Sequence, residues 1–148
     1  MKIADGLYSY EWTNYYENNC NSFFIGGAVG AVIDPGLKSY VPDLMQRMAA
    51  DGIDGKDIRY VINTHSHPDH FEGSEYFHGR DISIGLHEDE ISFLAGVGGE
   101  LYGLFGLPRP SVTVDLALSE GTAEFGGEEF QIFHVPGHSP GSIALYWP

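Results

Sequence analysis

The sequence is poor in positive charge, in cysteine and in long apolar runs. Seven Lys and Arg residues stand against 21 Asp and Glu residues among 148, which gives a formal net charge of −14 at pH 7. A field of this sign repels phosphate backbones and anionic lipid headgroups, so we expect neither nucleic acid nor a membrane as a partner. The longest apolar run, 28–33, is far shorter than the roughly 18–20 residues that span a bilayer.

The single cysteine, Cys20, excludes an internal disulfide and is typical of a protein in a reducing compartment. No apolar stretch follows Lys2, so no secretory signal is predicted. We therefore expect a cytoplasmic protein with a small-molecule substrate. Cys20 itself is interpreted as a packing residue, because no second cysteine accompanies it.

Strands and helices alternate over the first two thirds of the chain, which predicts a single-domain α/β fold over 1–148. The best candidate for a buried strand is 58–62, and apolar spacing over 41–48 predicts a helix capped by Ser39. Dense glycine over 95–110 predicts a mobile surface loop, with a lid over a substrate as the alternative. Strands then dominate the last third, the first of them predicted at 112–114.

A histidine cluster follows directly after the candidate strand 58–62, with the order His65, His67, Asp69, His70. Imidazole and carboxylate are both ligands that zinc accepts. Two histidines separated by one residue can face one ion from a sharp turn, and the adjacent pair Asp69 and His70 can face a second. A solvated loop without ligands is the alternative, but such loops rarely collect four of these side chains in six residues.

His138 is the candidate for the third imidazole at the first ion. It follows the candidate strand 129–135 and lies among the glycines and prolines of 136–141, which would fix the loop that presents it. A site of three histidines with one open position lowers the pKa of a bound water to about 7. The remaining histidines, His78, His87 and His134, are interpreted as structural.

These motifs resemble those of the metallo-β-lactamase-fold superfamily. The His-x-His-x-Asp-His signature is present in full at 65–70, Asp34-Pro35-Gly36 resembles the early Asp-x-Gly turn, and 136–141 resembles the third-histidine loop. The resemblance covers nearly the whole chain and implies an αββα sandwich, of which this chain would form the N-terminal lobe and the start of the second.

The resemblance also implies residue roles. His65, His67 and His138 would hold one metal, and Asp69 and His70 would contribute to a second. Asp69 would in addition orient the attacking water and take up its proton, while Asp34 would support the site without binding metal. The expected cofactor is one or two zinc ions, with iron or manganese also suited to these ligands.

The chain departs from the family pattern after His138. The family continues to a bridging aspartate and a final histidine, whereas this sequence ends at Pro148 with neither. We therefore expect the C-terminal part of the domain to be missing. The bridging aspartate and the final histidine would then be either removed or supplied by another chain. The exposed sheet edge and apolar face that result predict self-association or pairing with a complementing C-terminal segment.

The loop 136–142 looks most like that of glyoxalase II and related thioesterases, which predicts hydrolysis of a thioester-like or related acyl substrate by metal-bound hydroxide. An iron-dependent persulfide dioxygenase-like enzyme and a metal-binding half-domain inactive on its own remain alternatives. Flavodiiron proteins carry an acidic residue in place of His67, and nucleases need positive charge, so both are disfavoured. Basic candidates for holding a substrate carboxylate are Arg109, Arg80 and Lys56.

Overall fold

The computed structural model describes residues 1–148 and contains ten β-strands and five α-helices. The strands are β1 Lys2–Ala4, β2 Leu7–Tyr10, β3 Ser22–Ile25, β4 Ala31–Ile33, β5 Tyr60–Ile62, β6 Ser83–His87, β7 Leu116–Leu118, β8 Gly121–Phe125, β9 Glu128–His134 and β10 Ile143–Tyr146. The helices are α1 Val41–Ala50, α2 Pro68–Phe71, α3 Ser74–Phe77, α4 Glu88–Ala95 and α5 Val97–Leu104.

The strands form two sheets. The larger sheet has seven strands in the order β1 to β7, antiparallel from β1 to β4 and parallel from β4 to β7. The smaller sheet is antiparallel, with the order β10-β9-β8. The parallel strands are joined by helical crossovers, as the alternation of elements in the sequence predicts.

Alternate residues of each central strand enter two different cores. Val32 and Val61 point to a core that all five helices cover, whereas Ile33 and Ile62 point to a core shared with the smaller sheet. The layers are therefore helices, seven-stranded sheet and three-stranded sheet. This arrangement confirms the predicted α/β class.

The glycine-rich segment 95–110 differs from the prediction, because half of it forms helix α5 rather than a loop. A Cβ at Gly98 would lie 2.5 Å from the ring of Phe93 on α4, so glycine allows the two helices to pack closely. Tyr102 of α5 is completely buried in the helical core. This tertiary packing overrides the low helix propensity of glycine.

Two smaller expectations are also wrong. Ser39 does not cap α1, since it lies within a 3₁₀ turn, Lys38–Tyr40, and no side chain caps the helix that follows. The strand expected at 112–114 instead forms at Leu116–Leu118, where the backbone pairs with β6. The rest of the helix prediction is correct, because Val41, Leu44 and Met48 are buried on one face of α1.

Cys20 is buried, and burial raises the pKa of its thiol, as expected for a residue that packs rather than reacts. None of the helices is both long and apolar enough to cross a bilayer.

Candidate metal centre

The predicted site residues lie at one edge of the two sheets. Asp34 follows β4 and the segment 65–70 follows β5, and these parallel strands have their carboxyl ends at the same edge. His138 reaches this edge from the smaller sheet, in the loop between β9 and β10. A backbone hydrogen bond from Ile143 N to Thr64 O, 3.0 Å long, joins the two sheets beside the site.

Three imidazoles converge there, as the sequence predicts. One ring nitrogen from each of His65, His67 and His138 lies within 4.8 Å of the corresponding nitrogens of the other two. His67 Nδ1 and His138 Nε2 are 2.9 Å apart. The ring of His65 lies 4.8 Å from each of the other two rings, measured between centroids.

A hydrogen-bond chain from Asp34 orients the ring of His65. The Thr64 hydroxyl donates its only proton to Asp34 Oδ2, at 2.7 Å, so it must accept the bond of 3.1 Å from His65 Nδ1. The proton of neutral His65 is therefore on Nδ1, and Nε2 carries a free lone pair. That Nε2 is buried and has no hydrogen-bond partner.

Asp34 orients His70 in the same way. Its Oδ2 lies 2.9 Å from His70 Nδ1, and a carboxylate can only accept, so Nδ1 carries the proton. His70 Nε2 then faces Asp69 Oδ2 at 3.7 Å. The backbone N–H of Thr64 donates to Asp34 Oδ1 at 2.7 Å, which fixes the carboxylate in place.

Burial and mutual repulsion keep the imidazoles of His65 and His67 uncharged. Burial, followed by the positive potential of His70, lowers the pKa of His65 to about 4. Burial and neighbouring His138 lower the pKa of His67. Burial acts against the charged form of His70 as well, but the hydrogen bond and charge of Asp34 outweigh it and raise that pKa. At neutral pH, His65 and His67 are thus free bases.

The donor atoms fit a borderline metal ion such as zinc. A buried imidazole nitrogen without a partner is costly unless something binds it, and His65 Nε2 is such an atom. His67 Nδ1 and His138 Nε2 face the same space. Asp69 and His70 lie beside this group, with the His70 ring 4.1 Å from that of His65, and form a separate pair.

A second histidine pair, His87 and His134, lies outside this centre. Their rings stack with centroids 4.4 Å apart, and Asp89 Oδ2 lies 3.9 Å from His87 Nδ1 and 3.8 Å from His134 Nε2. Both nitrogens already have partners, because Asp89 N donates to His87 Nδ1 and His134 Nε2 lies 2.8 Å from Pro140 O. One nitrogen or oxygen atom from each of His87, Asp89 and His134 lies within 4.8 Å of the other two, which is also the spacing of a metal site, so the interpretation of these two histidines as structural stays a prediction.

None of the three basic candidates reaches the centre. Arg109 donates to the carbonyl oxygens of Leu94 and Ala95 at the end of α4. Lys56 and Arg80 precede β5 and β6, and therefore lie at the opposite edge of the sheet from the histidines.

Two buried residues near the centre escape sequence reasoning. Glu90 is completely buried and contacts the loops of both His67 and His138, although an acidic residue in the first turn of a helix is usually exposed. Tyr102 donates to Ser66 O at 3.0 Å. A usable signal for Glu90 is its position four residues before Leu94, on the face of α4 that packs on the core.

Known proteins that match this chain in sequence include hydrolases. The profile of the metallo-beta-lactamase superfamily matches residues 15–148. A probable metallo-hydrolase of Methanocaldococcus jannaschii is 33% identical over 140 residues, which cover 90% of this chain and 65% of that protein. A hydroxyacylglutathione hydrolase of Rhodospirillum rubrum is 33% identical over 118 residues, or 79% of this chain and 37% of the relative.

Solved structures agree in fold. A metallo-beta-lactamase of Cronobacter sakazakii superposes with a TM-score of 0.80 at 28% identity, covering 98% of this chain and 58% of that one. The chain thus spans from about two fifths to two thirds of the length of these relatives. With a profile match over almost its full length and a shared fold, the chain belongs to the metallo-beta-lactamase superfamily.

Proposed function

We propose that the chain is the histidine-bearing part of a metal-dependent hydrolase that acts on a thioester-like or related acyl substrate, with zinc as its metal. The observation that carries the proposal is the convergence of three imidazoles, among which the buried Nε2 of His65 has no hydrogen-bond partner. The choice of substrate class is supported by the relatives named hydroxyacylglutathione hydrolase. In this proposal His65, His67 and His138 hold the first ion.

When bound, such an ion supplies Lewis-acid polarisation of a carbonyl and lowers the pKa of water. The side chains of the loop then handle the proton. The side chain of Asp69 is partly exposed, so its carboxylate can reach an attacking water and take up its proton, and Oδ2 lies 3.7 Å from His70 Nε2. His70 is held by Asp34 and can hydrogen-bond or bind a second ion through Nε2. The location in the cytoplasm stays a prediction.

The proposal predicts hydrolysis that depends on added zinc. We expect the zinc-loaded chain to hydrolyse at least one substrate in a panel of thioesters, lactones and a β-lactam, at a rate that a chelator returns to background. Asp69→Asn keeps the shape of the side chain but cannot take up the proton, so this variant is expected to lose the activity. Zinc-bound chain without activity on the whole panel would favour the half-domain hypothesis, whereas oxygen consumption with iron and glutathione persulfide would favour a dioxygenase.

We also propose that the chain self-associates through strand β10. This strand is at the edge of its sheet and has β9 as its only neighbouring strand. The N–H of Ile143 at its start is bonded to Thr64 O, so it is the outer backbone groups farther along the strand that can pair with those of a second copy. An apolar groove of 340 Å³ adjoins it, lined by Phe23, Phe130, Leu145 and Trp147 among others. The antiparallel pairing of two identical edges needs no other partner.

We therefore expect light scattering to report a mass above that of one chain. The net charge of −14 opposes association, so the mass should rise between low and moderate salt as the charges are screened. Leu145→Lys, which places a charge at the groove, is expected to restore the monomer. A monomer at every salt and protein concentration would contradict this part of the proposal.

A further inference from the structure

The carboxylate of Glu90 lies between the two loops that carry the histidines. Its Oε2 accepts hydrogen bonds from Ser66 N at 2.7 Å and from Ser66 Oγ at 2.6 Å. Its Oε1 accepts a bond of 2.8 Å from Gly141 N. Ser66 separates His65 from His67, and Gly141 follows His138 by three residues. One side chain thus joins segments that are distant in the sequence and present different ligands.

The surroundings of Glu90 keep it ionised although it is fully buried. All partners of the carboxylate are uncharged N–H and O–H donors. Burial alone raises the pKa of Glu90, but hydrogen bonds from Ser139, Ser66 and Gly141 outweigh it and lower that pKa. Hydrogen bonds to an ionised acceptor are about twice as strong as neutral ones, so this connection is stiff.

Close packing supports the same connection. A Cβ at Gly141 would lie 2.6 Å from Glu90 N and 2.8 Å from Glu90 Cγ, so only glycine allows the His138 loop to approach the first turn of α4. On the other side, the hydroxyl of buried Tyr102 donates to Ser66 O. Every polar group of Ser66 is therefore bonded to α4 or α5, which fixes the backbone between His65 and His67.

We propose that Glu90 is a positioning residue of the metal centre, which holds the His65–His67 segment and the His138 loop at the separation that a shared ion requires. The separation in question is measured by the distance of 2.9 Å between His67 Nδ1 and His138 Nε2. Glu90 is not one of the proposed ligands and acts through its hydrogen bonds with Ser66 and Gly141. The inference rests on the proposed function, since it assumes that these histidines bind one ion.

The test compares Glu90→Gln and Gly141→Ala with the parent chain. A glutamine amide accepts hydrogen bonds only at its oxygen. Its NH2 group therefore faces the N–H of either Ser66 or Gly141, two donors that cannot bond to each other, and that loop is released. The alanine leaves the carboxylate intact but pushes the His138 loop away. Glu75→Gln is the matched control, because its two carboxylate oxygens also join distant segments, at Lys38 and Ser111, that hold no histidine ligand.

We expect zinc dissociation constants, measured by chelator competition, to rise by about 10–100-fold in Glu90→Gln and in Gly141→Ala. The zinc dissociation constant of Glu75→Gln should stay within about twofold of the parent value, even if its melting temperature falls as far as that of Glu90→Gln. Amide hydrogen exchange of the metal-free proteins should be faster at Ser66 or Gly141 in Glu90→Gln than in the parent chain, and unchanged at both amides in Glu75→Gln.

Parent-like zinc affinity in Glu90→Gln would overturn the positioning role, since Glu90 would then contribute only to stability. A parent chain that binds no zinc would instead overturn the proposed metal centre. In that case the exchange data still decide whether Glu90 joins the two loops, and unchanged exchange at both amides would contradict that connection as well.

Discussion

Alanine in place of His67 or of His138 is expected to abolish tight zinc binding, with an affinity loss of at least about 100-fold, and to reduce hydrolysis to background. Each substitution removes one of three converging imidazoles and leaves an ion with too few ligands. The fold should survive, because His138 is exposed and His67 is only half-buried. Stability is therefore expected to change by no more than about 0.5 kcal/mol.

The control for this prediction is His78→Ala, which removes an exposed histidine outside the centre. Zinc affinity and unfolding midpoints are measured for all three variants under the same conditions. Zinc binding by His67→Ala or His138→Ala that equals that of the control would mean that the ion binds elsewhere.

The second large effect is expected from Asp34→Ala, which should destabilise the chain by about 3 kcal/mol and also weaken zinc binding. Asp34 accepts three hydrogen bonds, from Thr64 N, from Thr64 Oγ and from His70 Nδ1. Its loss leaves the partly buried N–H of Thr64 unpaired and frees the rings of His65 and His70 to rotate. Denaturant unfolding measures the first effect and zinc competition the second.

The backbone at Asp34 needs its own control. Its φ of +51° is a conformation that alanine adopts less readily than aspartate, and this strain adds to the loss of the hydrogen bonds. Asp81 has a φ of +57° but is exposed, so Asp81→Ala reports the strain alone, about 1 kcal/mol. If the two variants lose the same stability, the hydrogen bonds of Asp34 contribute nothing measurable.

Sequence reasoning worked best where residue type and spacing carry the chemistry. The cluster at 65–70 and His138 could be paired because both follow strands, and the structure brings His65, His67 and His138 together. The fold class followed from the alternation of elements and is confirmed by the two sheets and their layers. The roles of these residues as ligands stay a prediction.

Prediction failed where long-range packing decides the local structure. Glycines over 97–104 look like a loop in sequence, but Gly98 allows α5 to approach Phe93, and burial of Tyr102 stabilises the helix. Glu90 was missed for a related reason. Whether an acidic residue is exposed or buried depends on what packs against its helix, and the Ser66 and Gly141 loops that cover Glu90 come from distant parts of the chain.

Whether the three imidazoles bind a metal ion is decided by counting the metal atoms in the purified protein. Elemental mass spectrometry on the untagged protein, as purified and after incubation with zinc, gives the number of ions per chain and their identity. We expect about one zinc or iron ion per chain or more, and a loss of that ion in His67→Ala and His138→Ala. A chain that retains no metal even after incubation with zinc would contradict this expectation.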